Sequence, residues 1–339
     1  MDIETVIRSI PKAELHLHIE GTLEPELKFE LAATNGVELP YGSADEMRAA
    51  YDFDDLSSFL AQYYEGMSVL LHEADFHALA MAYFERVAAQ GLVYVEMFFD
   101  PQAHTSREVA FDTVIGGLRR AQHDAADRFG IRSQLIMCFL RDHSVESALA
   151  TLEHAAAYRE WIIGVGLDSD ERGNPPVKFR DVFAAAREQG YRLTMHCDVD
   201  QQDTTVHIRQ CLDDIGVERI DHGSNAIEDE DLVAELVQRG VGLTNCPISN
   251  SYISGDTKAR EIRALHEQGV LVTVNSDDPA YFPGYVGDNL AVLQREADLS
   301  RDEIVQFVRN AFIISWLDER EREAYLERVD AWVAASETG

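Results

Sequence analysis

Two histidines separated by one residue, His16-Leu17-His18, sit in an apolar run that follows Pro11. On a strand, side chains at i and i+2 leave the same face, so both imidazoles point one way while Leu15 and Leu17 point the other. Neighbouring imidazoles in an interior are costly unless they share a cation or hydrogen-bond partners. Alone, the pair reads equally well as two polar residues at a strand end, satisfied by backbone and water. Three more short apolar runs end on groups of the same kind: His196, His222 and Asp277-Asp278. Four strand ends aiming titratable groups at one place are poorly explained by structural roles alone. Three imidazoles and a carboxylate form a nitrogen-rich, borderline-soft set suited to a divalent transition metal, zinc first. Such a site leaves room for a water whose pKa falls toward about 7. His222 and Asp277 fit the task of orienting that water or accepting its proton. The chemistry expected is hydrolysis at an electrophilic carbon.

These ends meet only if the strands are parallel and ordered around one mouth. Gly91, Gly130, Gly190, Gly216, Gly240 and Gly269 each end an amphipathic stretch and precede an apolar run. Glycine is favoured just past a helix, and the β-branched and aromatic residues that follow read as buried strands. Two further runs, 14–18 and 161–167, lack the glycine. Asp229 is a plausible helix cap, with Leu232, Val233, Leu236 and Val237 at helical spacing before Gly240. Eight alternating units without a break in composition predict an α/β fold, a (β/α)8 TIM barrel. Its working residues are expected at the C-terminal ends of the strands. Residues 23–90 are long for one connection and read as extra helices, around 53–71 and 74–89, inserted over the barrel. A single domain over 1–339 is expected.

Composition narrows the partners. With 61 acidic against 29 basic residues among 339, the formal net charge is −32 and the sequence pI about 4.6. Such a surface repels phosphate backbones and anionic headgroups, so nucleic acid and membrane are not expected partners. A 46% hydrophobic content is too apolar for an acidic disordered tail. Four cysteines without C-x-x-C pairing, no leader-like N-terminus and no long apolar stretch point to a cytoplasmic protein. A small molecule is the expected partner, and a homo-oligomer is left open.

Rival chemistries are weakly represented. The run from Gly164 to Ser169 starts like a dinucleotide fingerprint but lacks the third glycine, and no G-x-S-x-G elbow exists. Cys197 reads as a small buried residue beside His196, not as a nucleophile. His72, His77, His104, His123, His143, His154 and His266 read as solvated or structural, and Trp161, Trp316 and Trp332 as packing residues.

The run from Pro11 to Thr22, PKAELHLHIEGT, resembles the opening strand of the adenosine/adenine deaminase branch of the amidohydrolase superfamily. Ile220-Asp221-His222-Gly223, Cys246-Pro247-Ile248-Ser249-Asn250 and Val274-Asn275-Ser276-Asp277-Asp278-Pro279 resemble it too. The stretches at 98–102 and 278–282 look more like the microbial adenine enzymes. The resemblance implies one zinc per chain, or another divalent transition metal, held by His16, His18, His196 and Asp277. It implies that His222 orients and deprotonates the hydrolytic water, and that Asp278 meets the imidazole-ring nitrogen of a purine. Glu20 would stand where nucleoside enzymes meet the ribose, and a carboxylate one methylene longer favours a free base.

One position departs from the family. The usual run after the fifth-strand histidine ends in a glutamate that protonates the purine ring, and here counting places Val199 there. Valine cannot donate a proton. Asp200 or Asp198, from a shifted backbone, is expected to supply the acid, against the simpler reading that these aspartates cap the next helix, as Asp203 or Thr204 could. The function expected is hydrolytic deamination of an aminopurine, adenine first. Adenosine, N6-substituted adenines or another aminoheterocycle are the alternatives, and a non-catalytic purine-binding barrel is the reading from another class.

Overall fold

The computed structural model describes residues 1–53, 55–197 and 203–337. All eight predicted runs contain a strand: β1 (Lys12–His18), β2 (Leu92–Phe99), β3 (Arg132–Leu140), β4 (Ile162–Asp168), β5 (Arg192–Cys197), β6 (Arg219–His222), β7 (Gly242–Asn245) and β8 (Val272–Val274). They pair in chain order, every neighbour parallel. β8 returns to β1 through a bridge between Leu17 and Asp277, where His18 N donates to Asp277 O at 3.0 Å and Asp277 N to His16 O at 3.1 Å. The sheet thereby closes into the predicted TIM barrel.

The junction glycines explain how each helix turns back into a strand. All six named above have positive φ, from 65° at Gly240 to 90° at Gly269. Gly91 shows why a side chain is excluded: a Cβ there would lie 3.0 Å from the Ile10 carbonyl oxygen. Asp229 caps helix Glu230–Arg239 as expected, accepting from the amides of Asp231 and Leu232.

The apolar run at 270–276 reads as the last strand up to Asp277, yet β8 stops at Val274. Side chains replace the ladder there. Asn275 Oδ1 accepts from Leu15 N at 2.8 Å, and Ser276 N donates to Glu14 Oε1 at 2.8 Å. With its backbone satisfied in this way, the chain can bend into the left-handed region at Asp277 (φ 64°).

The N-terminal end of the barrel is plugged. Phe98, Ile136, Cys138 and Trp316 form a small core inside the ring, separate from the large one between strands and helices. Gly164 makes room for Trp316, since a Cβ there would meet its ring at 2.3 Å. The buried Arg219 guanidinium lies 4.3 Å from the Trp316 ring centre and donates to Glu96 Oε2 at 2.6 Å. Trp316→Ala is expected to cost about 3–5 kcal/mol, through the lost contacts and the cavity left under Arg219. Urea unfolding would show a lower midpoint at unchanged slope; a loss below about 1 kcal/mol would contradict the plug.

The long first connection divides in two. Helices Pro25–Asn35, Ala44–Ala49 and Leu56–Gly66 precede helix Glu73–Ala88, which packs outside the barrel against helix Phe111–Phe129 and β2. Helix Leu56–Gly66 instead lends Phe59, Leu60, Tyr63 and Tyr64 to a cavity at the mouth. Among the described residues no helix is long and apolar enough to cross a membrane.

Candidate active site

Strand alternation puts His16 and His18 inside the barrel while Leu15 and Leu17 join the outer core. Each imidazole is then steered from behind. His16 Nδ1 lies 3.1 Å from Thr244 O and 3.0 Å from Thr244 Oγ1, and His196 Nδ1 lies 3.1 Å from Leu167 O. A carbonyl accepts only from N–H, so these contacts put the proton on Nδ1 and leave Nε2 as a lone pair. The Nε2 atoms converge: His196 to His16 is 3.0 Å, and His196 to His18 is 3.0 Å. Asp277 Oδ1 closes the set, 3.2 Å from His16 Nε2 and 3.5 Å from His18 Nε2.

Lone pairs so close repel unless a cation sits among them. Burial drives His18 down to about 3 and His196 well below its usual range, so both are neutral and their Nε2 lone pairs could serve a metal. Burial opposes ionisation of Asp277, but the imidazole of His16, which Asp277 in turn holds above its usual range against burial, outweighs it and keeps the carboxyl well below the usual range. Ser249 Oγ donates to Asp277 Oδ2 at 2.6 Å and orients it. Two neutral imidazoles, a third at His16 that a cation would have to deprotonate, one anionic oxygen and backed-up Nδ1 atoms suit a divalent transition metal. The residues fit the group.

His222, the last residue of β6, has φ 64°, another left-handed non-glycine held at the mouth. Its Nε2 stands 3.8 Å from Asp277 Oδ2, and burial pushes its pKa down to about 4, so the ring is neutral and able to accept a proton. Asp278 is pushed well above the carboxylate range by burial and by Asp277 beside it, so it carries a proton. Gly21 permits this placement, because a Cβ there would fall 2.0 Å from Asp278 Oδ1.

The cavity, about 570 Å³ with its opening, joins His18, His196, His222, Asp277 and Asp278 to the aromatic wall of helix Leu56–Gly66 and Phe282. Glu20 is not on that wall. It lies behind it, with Oε1 2.9 Å from His104 Nε2 and accepting from Asp100 N at 3.2 Å. His104, read from the sequence as structural or solvated, is fully buried in that support. Asp198, Val199 and Asp200 lie outside the described residues.

Several groups at the site were given no role by the sequence reading. Asp100 and Asp168 line the cavity at the ends of β2 and β4. Burial raises both, Asp168 to about 7, and the pair is placed to share a proton. Thr244, Ser249 and the buried Arg141, which donates to His196 O at 2.8 Å, act through hydrogen bonds that only the folded barrel creates. Asp221 extends the His16 support, accepting from Thr244 Oγ1 at 2.8 Å and Thr194 Oγ1 at 2.7 Å.

The adenosine deaminase family profile matches residues 11–332. An uncharacterised deaminase of Schizosaccharomyces pombe is 50% identical over 98% of this chain and 99% of its own length. The adenine deaminase of Acinetobacter baylyi is 48% identical, covering 97% of this chain and 99% of its own. The crystal structure of an adenine deaminase from Arthrobacter aurescens superposes with a TM-score of 0.93 at 44% identity, over 96% of this chain and 100% of that one. With that match over most of its length and relatives this similar, the chain belongs to the adenosine deaminase family of hydrolytic deaminases.

Proposed function

We propose that the protein converts adenine and water to hypoxanthine and ammonia, with zinc held by His16, His18, His196 and Asp277. The observation that carries the reading is the convergence of three Nε2 atoms and Asp277 Oδ1 beneath a small cavity that His222 and Asp278 also face. Zinc, or another divalent transition metal, supplies the Lewis acidity that makes a water nucleophilic near neutral pH. His222 Nε2 takes a proton from the attacking water and passes it to the departing amine. Asp278, protonated, donates to an imidazole-ring nitrogen of the base. Phe59, Tyr63 and Phe282 exclude bulk water from the ring plane.

The acidic wall favours a free base over a nucleoside. Beyond the proton the pair is placed to share, Asp100 Oδ1 and the oxygens of Asp168 accept no backbone hydrogen bond among the described residues. Such acceptors are costly unless a ligand brings donors. Free adenine carries an imidazole N–H that a nucleoside has replaced with its glycosidic bond. Glu20 sets this edge indirectly, by holding the Asp100 backbone. Four buried free cysteines suit a reducing compartment, and the cytoplasm is the proposed setting.

Ammonia release from adenine, adenosine and N6-methyladenine is the test, on protein of known metal content. Adenine is expected to exceed adenosine in kcat/KM by about 10⁴-fold, the scale of discrimination when buried polar groups lose their partner. Equal rates would overturn the free-base reading, and no ammonia from any aminopurine would overturn adenine as substrate.

A further inference from the structure

Glu14 stands two residues before the first histidine of the donor set, fully buried and off the cavity wall. We propose that Glu14 is a positioning residue that aims the Asp277 carboxylate at the metal, acting through Ser276. The assignment rests on the metal site proposed above.

Every side-chain hydrogen bond of Glu14 ties it to a segment distant in the chain. Ser276 N donates to Oε1 at 2.8 Å, and Ser276 Oγ donates to the same oxygen. Oε2 accepts at 2.6 Å from the hydroxyl of Tyr83, on helix Glu73–Ala88. Two other buried acids meet a different kind of partner: Glu96 pairs with Arg219, and Glu20 with His104. Glu14 instead bonds an amide, a hydroxyl and a phenol, and fixes where these donors stand without pairing a charge.

The donor that matters is the one next to Asp277. Asp277 has φ 64°, which a non-glycine keeps only where its surroundings over-determine it. Four successive contacts with β1 do so. Leu15 N donates to Asn275 Oδ1 at 2.8 Å, Ser276 N to Glu14 Oε1 at 2.8 Å, Asp277 N to His16 O at 3.1 Å and His18 N to Asp277 O at 3.0 Å. Without Glu14, the Ser276 amide and hydroxyl would be buried with no acceptor, and the chain would turn to find one. A turn at 276–277 moves both Asp277 oxygens together. Oδ1 would leave His16 and His18, and Oδ2 would leave Ser249 and His222. One strand thus carries two of the four ligands and the group that aims the carboxylate toward them. The task asks for an acceptor at Oε1, which glutamine also offers.

Full-length Glu14→Leu, Glu14→Gln and Ser276→Ala are to be compared with wild type in three readouts. These are zinc affinity by competition with a chelator, the visible absorption bands of the cobalt(II)-loaded protein, and kcat and KM on the aminopurine that wild type turns over fastest. In Glu14→Leu, zinc affinity and kcat are each expected to fall about 10–100-fold, the cobalt bands to shift, and KM to stay within about threefold. Ser276→Ala keeps the amide bond to Oε1 and loses the hydroxyl, so it is expected to show the same changes at smaller size. Glu14→Gln is expected to stay within about threefold of wild type throughout.

Trp316→Ala lowers stability from the other end of the barrel and is expected to keep wild-type zinc affinity and cobalt bands. A matching shift there would make the Glu14→Leu effect one of stability alone and overturn the assignment. So would wild-type zinc affinity and cobalt bands in Glu14→Leu, or in Ser276→Ala where Glu14→Leu fails to fold. Glu14→Gln as damaging as Glu14→Leu would overturn the acceptor role. Wild type that binds neither zinc nor cobalt would instead sink the metal reading itself, a separate outcome.

Discussion

Asp277→Asn is expected to lower kcat on the order of 10³-fold and to weaken metal retention, while the barrel stays folded. One carboxylate serves two neighbours: Oδ1 faces His16 and His18, and Oδ2 accepts from Ser249 Oγ and faces His222. Asparagine keeps the shape, so the Leu17–Asp277 bridge survives, because it runs through backbone. What is lost is the negative charge, the one carboxylate contribution to a donor set otherwise made of imidazoles. The amide can also present N–H₂ where Oδ1 faced the His16 and His18 lone pairs. Metal analysis beside kcat measurement separates the two effects. Full activity in the Asp277→Asn variant would show that the carboxylate's charge has no part in the reaction.

His222→Gln is expected to lose about 10²–10⁴-fold in kcat with the metal still bound, since His222 is outside the four-residue donor set. Its backbone is held for this task. Left-handed φ at a β-strand end is strained for a non-glycine, and Asn245 Nδ2 fixes its carbonyl at 3.2 Å. Burial keeps the ring neutral, so it can receive a proton, and its Nε2 stands beside Asp277 Oδ2, where the attacking water must be oriented. A proton carrier acts in the transition state and not in substrate binding, so KM should move little. A rise in KM with kcat preserved would instead make His222 a substrate-binding residue.

The barrel was legible because its rhythm is written in short-range chemistry. Glycines with positive φ close helices, and the runs after them become strands, so the order of elements follows from local rules. The donor set was legible for the same reason: His16 and His18 obey strand alternation, and His196 and His222 stand at strand ends. What the spacing could not carry are contacts between distant segments. Ser249 reaches Asp277, Thr244 reaches His16 and Glu14 reaches Ser276 across 28, 228 and 262 residues. No periodicity encodes them. The end of β8 falls earlier than its apolar run suggests because Asn275 and Ser276 replace ladder bonds with side-chain bonds. Glu20 stands in the sequence where it would face the substrate, whereas His104 and the Asp100 amide hold it behind the wall.

Deamination is expected to require one divalent cation held by His16, His18, His196 and Asp277. The most direct test is a titration of metal-free protein with zinc, measuring ammonia release from adenine at each addition. Activity is expected to rise linearly and break at one equivalent of zinc per chain, with no such rise in His16→Ala. Ammonia release at full rate before any zinc is added, or an undiminished rise in His16→Ala, would contradict this requirement.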